Sequence, residues 1–525
     1  MGPASRRSRS WIRCAARAMV VLGTLAACTR DDHYVIVTVD AAATVHGAKA
    51  LHVALANAGT TRVDTLALGA QAFPVTFSIS APGRTGELAI TVDASDADGL
   101  VVGHGTATTT VAAPTAAVAL DATDFVVNTD YADDQFPSDD YEANGFQLAA
   151  LPDGTWTAVF RDSCIALACN IFARRFDANG APVQTEAAAS SNAFPVTTVL
   201  TSPSSTPAVA SNATTTLVIW DFDDAITMTG GIACRALDAA GRASPQQITV
   251  AIEPSDSPSD VASDVASIAA LGNGDFVASW TTFPDHNDSV IRAVIIKPDC
   301  TPGSEVQTVS SFPGTGFRGA VTASADRVLF TWILNGEVHS RMATSTGAFA
   351  TDETVLVPRT VADEVVQARP TAIPGGGFVV AVRWAGVNAD TPSGRIELLR
   401  LDPSGEPLGA PASVTTRSSN DLANAESFGI ASRADASVVV AWHTCDALGD
   451  ASRCGVFGRI MRATGDAGLE AVGDSFVIPT TIDGDQRRPS VVGLPAGFVA
   501  MWADASDRPP DVSGLSVRAR VILSP

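Results

Sequence analysis

The chain has 525 residues, which is enough for more than one domain and for a large buried core. Its formal net charge is −22, whereas a nucleic-acid-binding protein needs a basic surface to displace counterions, so the charge argues against a nucleic-acid partner. Gly (42) and Pro (30) are frequent, and windows of alternating apolar residues are common, which together predict an all-β protein.

The first 27 residues have the organisation of a secretory signal. Five arginines precede an apolar run that ends at Ala27, and this run is too short to cross a bilayer, which takes about 20 residues. The ending Leu25-Ala26-Ala27-Cys28 resembles the lipobox of bacterial lipoproteins. The resemblance implies that residues 1–27 are removed, that Cys28 carries the lipid and that residues 28–32 form a lipidated tether.

A lipid anchor accounts for membrane attachment without a transmembrane helix. Thr29 follows the lipobox cysteine, in place of the Asp that retains many lipoproteins at the inner membrane, and this favours the outer membrane. We therefore predict a lipid-anchored protein of the bacterial cell envelope. The alternative is an ordinary signal peptide in which Cys28 stands by chance.

Residues 33–122 contain about seven strand-like windows separated by turns, among them "YVIVTVD" and "ELAITVDASD". This pattern predicts an immunoglobulin-like β-sandwich domain. The segment has neither Cys nor Trp, so it resembles immunoglobulin domains only in architecture. The stretch "DASDADG" from Asp93 lacks the ligand spacing of a calcium loop and is interpreted as a turn.

From about residue 145 onward the chain repeats a strand that ends in an aromatic residue. The seven aromatic residues, 52 to 60 residues apart, are Phe160, Trp220, Trp280, Trp332, Trp384, Trp442 and Trp502. Large aromatic side chains at this period fill the space between neighbouring blades, so we predict that they form the structural core.

Each repeat has the pattern of four antiparallel strands, which is the blade of a β-propeller. A Gly-containing turn precedes the aromatic strand, and the third strand carries an Arg and then D-x-x-G, as in "IFARRFDANG". The repeated arginines are Arg174, Arg235, Arg341, Arg459 and Arg520. We expect each to tie its own hairpin to the turn Asp by a charge-assisted hydrogen bond.

The segment "DFVVNTD", which begins at Asp124, resembles the fourth strand "DSFVIPT" that begins at Asp474. The seventh repeat ends at "VRARVILSP" without a fourth strand of its own. We therefore predict that Phe125 to Thr129 complete the last blade, which protects strand edges that would otherwise be exposed. The predicted propeller spans residues 123–525, has seven blades and is closed by this N-terminal strand.

Two blades carry a cysteine pair in the loop after the aromatic strand. We predict disulfides between Cys164 and Cys169 and between Cys445 and Cys454, which suit an oxidising compartment. Cys234 and Cys300 remain, and a bond between neighbouring blades is one possible arrangement for them. Zinc binding is the rival interpretation, but no His stands at ligand spacing from two cysteines.

The sequence contains no H-E-x-x-H, G-x-S-x-G or P-loop motif, so we predict no catalytic residue, metal or cofactor. The acidic run from Asp130 to Glu142 is interpreted as a solvated linker, with calcium binding as the alternative. Variable loops on a rigid ring suit recognition. We predict a monomeric, non-enzymatic binding or scaffolding lipoprotein whose partner is an unidentified envelope protein or glycan. The alternatives are an extracytoplasmic glycan-active hydrolase or lyase and a calcium-dependent adhesion protein.

Overall fold

The structure is a computed structural model. It describes residues 34–97, 99, 101–128, 146–165, 168–185, 193–198, 207–224, 229–254, 263–285, 288–311, 316–324, 326–386, 395–415, 427–445, 454–464, 468–509 and 514–523. The named elements of this part of the chain are all β-strands, in agreement with the predicted class. The chain divides into two compact units, Met1–Thr123 and Asp124–Pro525.

Seven strands make up the described part of the first unit. They are β1 (Tyr34–Ala41), β2 (Ala50–Asn57), β3 (Thr60–Ala67), β4 (Val75–Ser80), β5 (Glu87–Ser95), β6 (Val101–Thr110) and β7 (Thr115–Ala122). Their hydrogen-bonded order is β3-β2-β5-β6-β7-β1-β4. Alternate residues of β1, namely Val35, Val37 and Val39, are fully buried, so one face of each strand supplies the core.

The first unit is therefore one continuous hydrogen-bonded path of strands. Strand β7 links its two halves, because β7 pairs with β6 on one side and runs parallel to β1 on the other. An immunoglobulin-like sandwich consists of two separate sheets. The predicted sandwich is thus not shown, whereas the predicted all-β character is confirmed.

The second unit is a seven-bladed β-propeller, as predicted. We number the blades 1 to 7 by their first strands, which are β9 (Phe146–Ala150), β14 (Ala208–Ser211), β18 (Ser263–Ala270), β22 (Gly316–Ser324), β26 (Asp363–Ala372), β30 (Phe428–Ser432) and β34 (Gln486–Gly493). The second strands are β10 (Trp156–Ile165), β15 (Thr215–Asp224), β19 (Phe276–Asp285), β23 (Arg327–Leu334), β27 (Phe378–Gly386), β31 (Ser437–Cys445) and β35 (Gly497–Asp504).

The third and fourth strands lie outward of these. The third strands are β11 (Ala168–Phe176), β16 (Thr229–Asp238), β20 (Asp288–Ile296), β24 (Glu337–Thr344), β28 (Ile396–Leu401), β32 (Cys454–Thr464) and β36 (Ser516–Leu523). The fourth strands of blades 1 to 6 are β12 (Pro182–Val183), β17 (Ile248–Pro254), β21 (Gln307–Thr308), β25 (Thr354–Val357), β29 (Pro407–Ser413) and β33 (Gly468–Val477), and β13 (Ala193–Pro195) also pairs with β11.

The first strands surround one axis, because each contacts the first strand of the next blade and β34 contacts β9. Successive buried side chains of each second strand pack alternately against the blade before it and the blade after it. In blade 5, Trp384 packs against Leu329 of blade 4, whereas Ala381 packs with Phe428 of blade 6. Both faces of these strands carry apolar residues because each strand is buried between two blades.

The outer edge of blade 7 is formed by a strand from the start of the second unit. Strand β8 (Phe125–Val126) pairs antiparallel with β36, with Val126 opposite Arg518. The next residue, Val127, donates its backbone N–H to Val517 O at 2.7 Å. Thr129, the last residue of the predicted strand, lies outside the described residues.

The five repeated arginines bind the blade that precedes their own. Each donates a hydrogen bond from Nη1 to a backbone carbonyl just after the preceding blade's outermost strand. The pairs are Arg174 with Val127, Arg235 with Val196, Arg341 with Val309, Arg459 with Val414 and Arg520 with Ile478. We expected a charge-assisted bond to the turn Asp of the same hairpin, whereas these bonds run to a backbone carbonyl of the neighbouring blade.

A disulfide crosses the boundary between blades 2 and 3, where this arginine does not occur. Cys234 lies on β16, and Cys300 lies in the turn after β20. Their sulfurs are bonded and their Cα atoms are 5.7 Å apart. In blade 3 the residue equivalent to Arg235 is Val294. Each of the two pairs with the residue that lies two positions before the Trp of its own blade.

Candidate active site at the mouth of blades 5 to 7

The seven predicted core aromatics are buried between blades. Their exposed fractions range from 0% for Phe160, Trp220, Trp280 and Trp502 to 6% for Trp442. They pack in the apolar clusters of the blade interfaces. The positions that the sequence repeats most clearly therefore support the fold and do not line a site.

The structure describes the side chains of only some of the cysteines for which the sequence predicts a role. Cys28 and the side chains of Cys164 and Cys169 lie outside the described residues. Cys445 and Cys454 are joined by a disulfide and stand opposite each other in β31 and β32. This bond fixes the end of blade 6 that adjoins the candidate site.

We call the candidate site the mouth. It comprises Gln367, Arg383, His443, Asp485, Arg487 and Arg488, which lie where the first strands of blades 5 to 7 begin or where their second strands end. Because the first strands are equivalent in repeated blades, their beginnings lie at one end of the propeller axis. Polar side chains at these positions therefore converge, although they are far apart in sequence.

His443 lies at the centre of the mouth and is 1% exposed. Its Nδ1 lies 3.3 Å from the backbone N–H of Arg488, which donates a hydrogen bond to it. Burial lowers the pKa of His443 from 6.5 to about 3, and the positive charges of Arg487, Arg383 and Arg488 also lower it. His443 is therefore neutral at neutral pH.

Arg487 and Asp485 form the exposed side of the mouth. Arg487 Nη2 donates to Asp485 Oδ2 at 2.8 Å, and the two side chains are 42% and 27% exposed. Asp485 Oδ1 accepts the backbone N–H of Cys454 at 2.9 Å. The carboxylate is thereby tied to the disulfide of blade 6, while its guanidinium partner remains accessible to solvent.

Arg383 enters the mouth from blade 5. It stands opposite Gln367 in the pairing of β27 with β26, and Gln367 Oε1 accepts the backbone N–H of Phe428 at 3.2 Å. Gln367 is 4% exposed and Arg383 is partly exposed. The glutamine therefore joins blades 5 and 6 directly beside the arginine.

A backbone irregularity brings two consecutive arginines to the mouth. The pairing of β34 with β35 shifts register between Arg487 and Ser490, and Arg488 has a φ of 56°. Such a bulge changes the face to which the following side chains point. A positive φ at a long-chained residue is a strained conformation of the kind that occurs at functional sites.

The mouth can bind an anionic or polyhydroxyl group and hold it in a fixed orientation. Guanidinium groups bind carboxylates and similar anions with paired, charge-assisted hydrogen bonds. A histidine with a pKa of about 3 is a weak base at neutral pH, so His443 is suited to positioning Arg488 and not to proton transfer. Asp485 is a partly exposed carboxylate beside Arg487.

None of the six mouth residues was predicted from the sequence. The available signal was the pair Arg487-Arg488 near the start of a first strand in an acidic protein. For metals, the described residues contain no group of three His, Cys, Asp or Glu side chains arranged to hold an ion. Within the same part of the chain, no helix has the length and apolar character that would span a membrane.

No protein-family model and no curated protein sequence matches the chain. Solved structures do match. A protein of unknown function from Dyadobacter fermentans has 9% identity and a TM-score of 0.42, with 77% of this chain and 98% of that one covered. An α-L-arabinofuranosidase from Fusarium graminearum has 9% identity and a TM-score of 0.40, with 76% and 97% covered. A family GH43 endo-arabinanase from Bacillus licheniformis has 9% identity and a TM-score of 0.31, with 65% and 100% covered.

These similarities contradict two sequence-based predictions. We expected a non-enzymatic binding or scaffolding protein, and we expected no enzyme activity. The matching propellers include glycoside hydrolases, which are enzymes, so both predictions are wrong. The physical reason is that the repeats report the scaffold, whereas a reaction depends on a few side chains at its mouth. At 9% to 11% identity, the similarities define no substrate or reaction for this chain.

Proposed function

We propose that this protein is an extracytoplasmic glycan-active hydrolase that binds its substrate at the mouth of blades 5 to 7. The observation that carries the proposal is the convergence of Asp485, Arg487 and Arg383 from two blades around buried His443. A propeller that served only as a spacer would not need charged side chains there.

The reaction we propose is the addition of water across a glycosidic bond. The bond between the anomeric carbon and the linking oxygen breaks, the carbon takes the hydroxyl group, and the oxygen takes the proton. Glycosidases use carboxyl groups for these proton transfers. Asp485 is our candidate for one of them, because it is partly exposed and held in place by Cys454.

We also propose the location and anchor that the N-terminal sequence predicts. Cys28 carries a lipid, the chain is attached to the outer membrane of a bacterial cell envelope, and the mature protein is a monomer. The support is the lipobox-like sequence Leu25-Ala26-Ala27-Cys28. Labelling cells with a radioactive or clickable fatty acid tests this proposal, since Cys28→Ser should abolish incorporation.

We further propose that β8 closes the propeller ring and that the first unit is a sandwich-like spacer. The pairing of β8 with β36 supports closure. The buried valines of β1 support a domain with its own core. Limited proteolysis tests the closure, which predicts that a cut within residues 129–145 leaves residues 124–128 bound to the propeller.

The test of the enzymatic proposal is a chain-shortening assay. The full chain, purified in detergent, is incubated with a panel of neutral and acidic polysaccharides, and new reducing ends are counted. We expect release from at least one polymer, and we expect Asp485→Asn to reduce the rate by at least a hundredfold. Asp483→Asn, which alters a nearby exposed carboxylate paired with Arg508, is the matched control. An intact panel after long incubation would refute the proposal.

A further inference from the structure

We propose that the first unit contacts the bilayer surface through Tyr34 and Ile36, at the end of the unit where β1 begins. This inference rests on the proposed lipid anchor at Cys28, because it names the surface that the anchored unit touches. The partner is the headgroup region of a phospholipid bilayer. The contact goes beyond the lipid itself, since it involves side chains of the folded unit.

Tyr34 and Ile36 are exposed side chains on the outer face of β1. They alternate with the fully buried Val35 and Val37, and the exposed fractions are 55% for Tyr34 and 46% for Ile36. Single exposed apolar residues are common on soluble proteins, so exposure alone indicates nothing. A tyrosine beside an isoleucine suits a membrane–water interface, because the ring lies among apolar groups while the hydroxyl group reaches the headgroups.

The outer-face neighbours of these two residues carry no charge. In the pairing of β1 with β4, Tyr34 lies opposite Ser80 and Ile36 lies opposite Ser78. On the other side of β1, the parallel strand β7 places Thr115 opposite Ile36. We call these five residues the contact patch. Because none of them is ionised, the patch can enter the headgroup region without the cost of removing a charge from water.

The chain between Cys28 and Tyr34 is too short to hold the contact patch far from the bilayer. The two residues are six positions apart, and a fully extended chain spans at most about 22 Å over that distance. A short tether gives its end an effective concentration on the order of millimolar at the surface to which it is attached. A contact too weak to bind a free protein is therefore sufficient to orient the tethered unit.

The negative charge of the first unit lies at the end opposite the contact patch. At the patch end, the described charged residues are Arg84 and Glu87, whose charges cancel. Arg62 and Asp64 pair within β3 and also cancel. The far end carries four aspartates and one lysine, a net charge of −3 with the histidines neutral, namely Asp40, Lys49, Asp93, Asp96 and Asp121. Anionic lipids repel that end, so charge and apolar contact favour the same orientation.

The test is fluorescence quenching on vesicles that carry the full lipidated chain. The vesicles are phosphatidylcholine with plain or brominated acyl chains, and a dye is attached to a cysteine introduced by Ser78→Cys or by Ala119→Cys. Both positions are exposed, but Ser78 lies opposite Ile36, whereas Ala119 lies opposite Asp40 near the far end. The chain without an introduced cysteine measures background labelling. We expect bromine to quench the dye at position 78 more strongly than the dye at position 119, by about twofold or more.

Replacement of the two apolar residues tests which side chains make the contact. The double substitution Tyr34→Thr and Ile36→Thr should remove the difference in quenching, and threonine keeps the strand propensity of these positions. Val63→Thr is the matched control, since Val63 is 63% exposed on β3 and lies outside the contact patch. Equal quenching at positions 78 and 119, or a difference that survives the double substitution, would overturn the inference.

Flotation of the vesicles separates a failure of this inference from a failure of the proposed anchor. A chain that floats with the vesicles but shows equal quenching keeps its anchor and contradicts the contact. A chain that does not float lacks the anchor, and the contact is then refuted with it. Equal quenching together with protection of the dye at position 78 from aqueous iodide would show that protein, and not lipid, covers the contact patch.

Discussion

Asp124 Oδ1 accepts a hydrogen bond from Arg518 Nη1 at 2.9 Å, although 394 residues of sequence separate the two. Arg518 Nε donates to Asp504 Oδ2 at the same distance. Asp124 Oδ2 accepts the backbone N–H groups of Thr480 and Thr481. The Asp124 side chain is 0% exposed, so these hydrogen bonds take the place of its hydration. They also join the start of the propeller to its last blade.

Substitution of Asp124 by Ala should strongly destabilise the propeller. It would leave the buried Arg518 with only part of its compensating charge and would remove the acceptor of the Thr480 and Thr481 amides. Loss of one partner of a buried ion pair costs about 3–5 kcal/mol. Urea denaturation of the full chain, followed by tryptophan fluorescence, measures the change in the free energy of unfolding.

The matched control for Asp124 is Asp483, which pairs with Arg508 at the surface. The side chains of that pair are 48% and 59% exposed. Exposed ion pairs contribute about 0–1 kcal/mol. Asp483→Ala should therefore leave the transition almost unchanged. An equal effect of the two substitutions would show that burial does not determine the importance of Asp124.

The bonds between blades should contribute measurably to stability. Arg459 Nη1 donates to Val414 O of the preceding blade at 2.8 Å. Arg459→Gln would leave this carbonyl without that donor, which we expect to cost about 1–3 kcal/mol. Arg462 lies on the same strand and is exposed, so Arg462→Gln is the control and should cost less than about 0.5 kcal/mol. The hypothesis fails if the two substitutions lower the urea midpoint equally.

The two described disulfides should differ in their contribution. The Cys234–Cys300 bond spans 66 residues and the Cys445–Cys454 bond spans 9. Loop-closure entropy in the unfolded chain gives about 4 kcal/mol for the longer loop and about 2.5 kcal/mol for the shorter. Replacing each pair by alanine should therefore lower the thermal midpoint more for the first pair. The reverse order would show that native packing and not loop length dominates.

His443 should make the propeller less stable in mild acid. Its folded pKa of about 3 lies below the ordinary value of 6.5, so the unfolded chain takes up the proton first as the pH falls. Above pH 6.5, His443 therefore does not lower the free energy of unfolding. At pH 5, protonation of His443 in the unfolded chain lowers that free energy by about 2 kcal/mol. His443→Gln should reduce the difference in unfolding free energy between pH 7.5 and pH 5 by that amount. An unchanged difference would mean that His443 takes up its proton at the same pH in the folded and the unfolded chain.

The sequence predicts the propeller well because one chemical feature recurs in every blade. A large aromatic must fill each gap between blades, so Trp280 and its equivalents mark the blades and their number. The bond between Cys234 and Cys300 could not be assigned with certainty, since Cys300 lies in a turn and has no repeated position. The single sheet of the first unit was missed because strand spacing alone does not determine which strands pair.

The candidate site could not be predicted for two physical reasons. Its residues come from three blades, and only the packing of consecutive first strands against one another brings them together. Register shifts in β26 and β34 interrupt the alternation of the first strands near Gln367 and Arg487. With the alternation broken, the pattern of apolar and polar residues does not show which side chains face the mouth.

The most direct test of the account is mass spectrometry of neutral and acidic oligosaccharides after incubation with the full chain. The account predicts shorter fragments whose summed mass exceeds that of the substrate by one water for each bond cleaved. It also predicts that Asp485→Asn abolishes the fragments and that Arg487→Gln greatly reduces them. Recovery of every neutral and acidic oligosaccharide intact, or cleavage by Asp485→Asn at the rate of the unsubstituted chain, would contradict the assignment of a glycan-active hydrolase to this mouth.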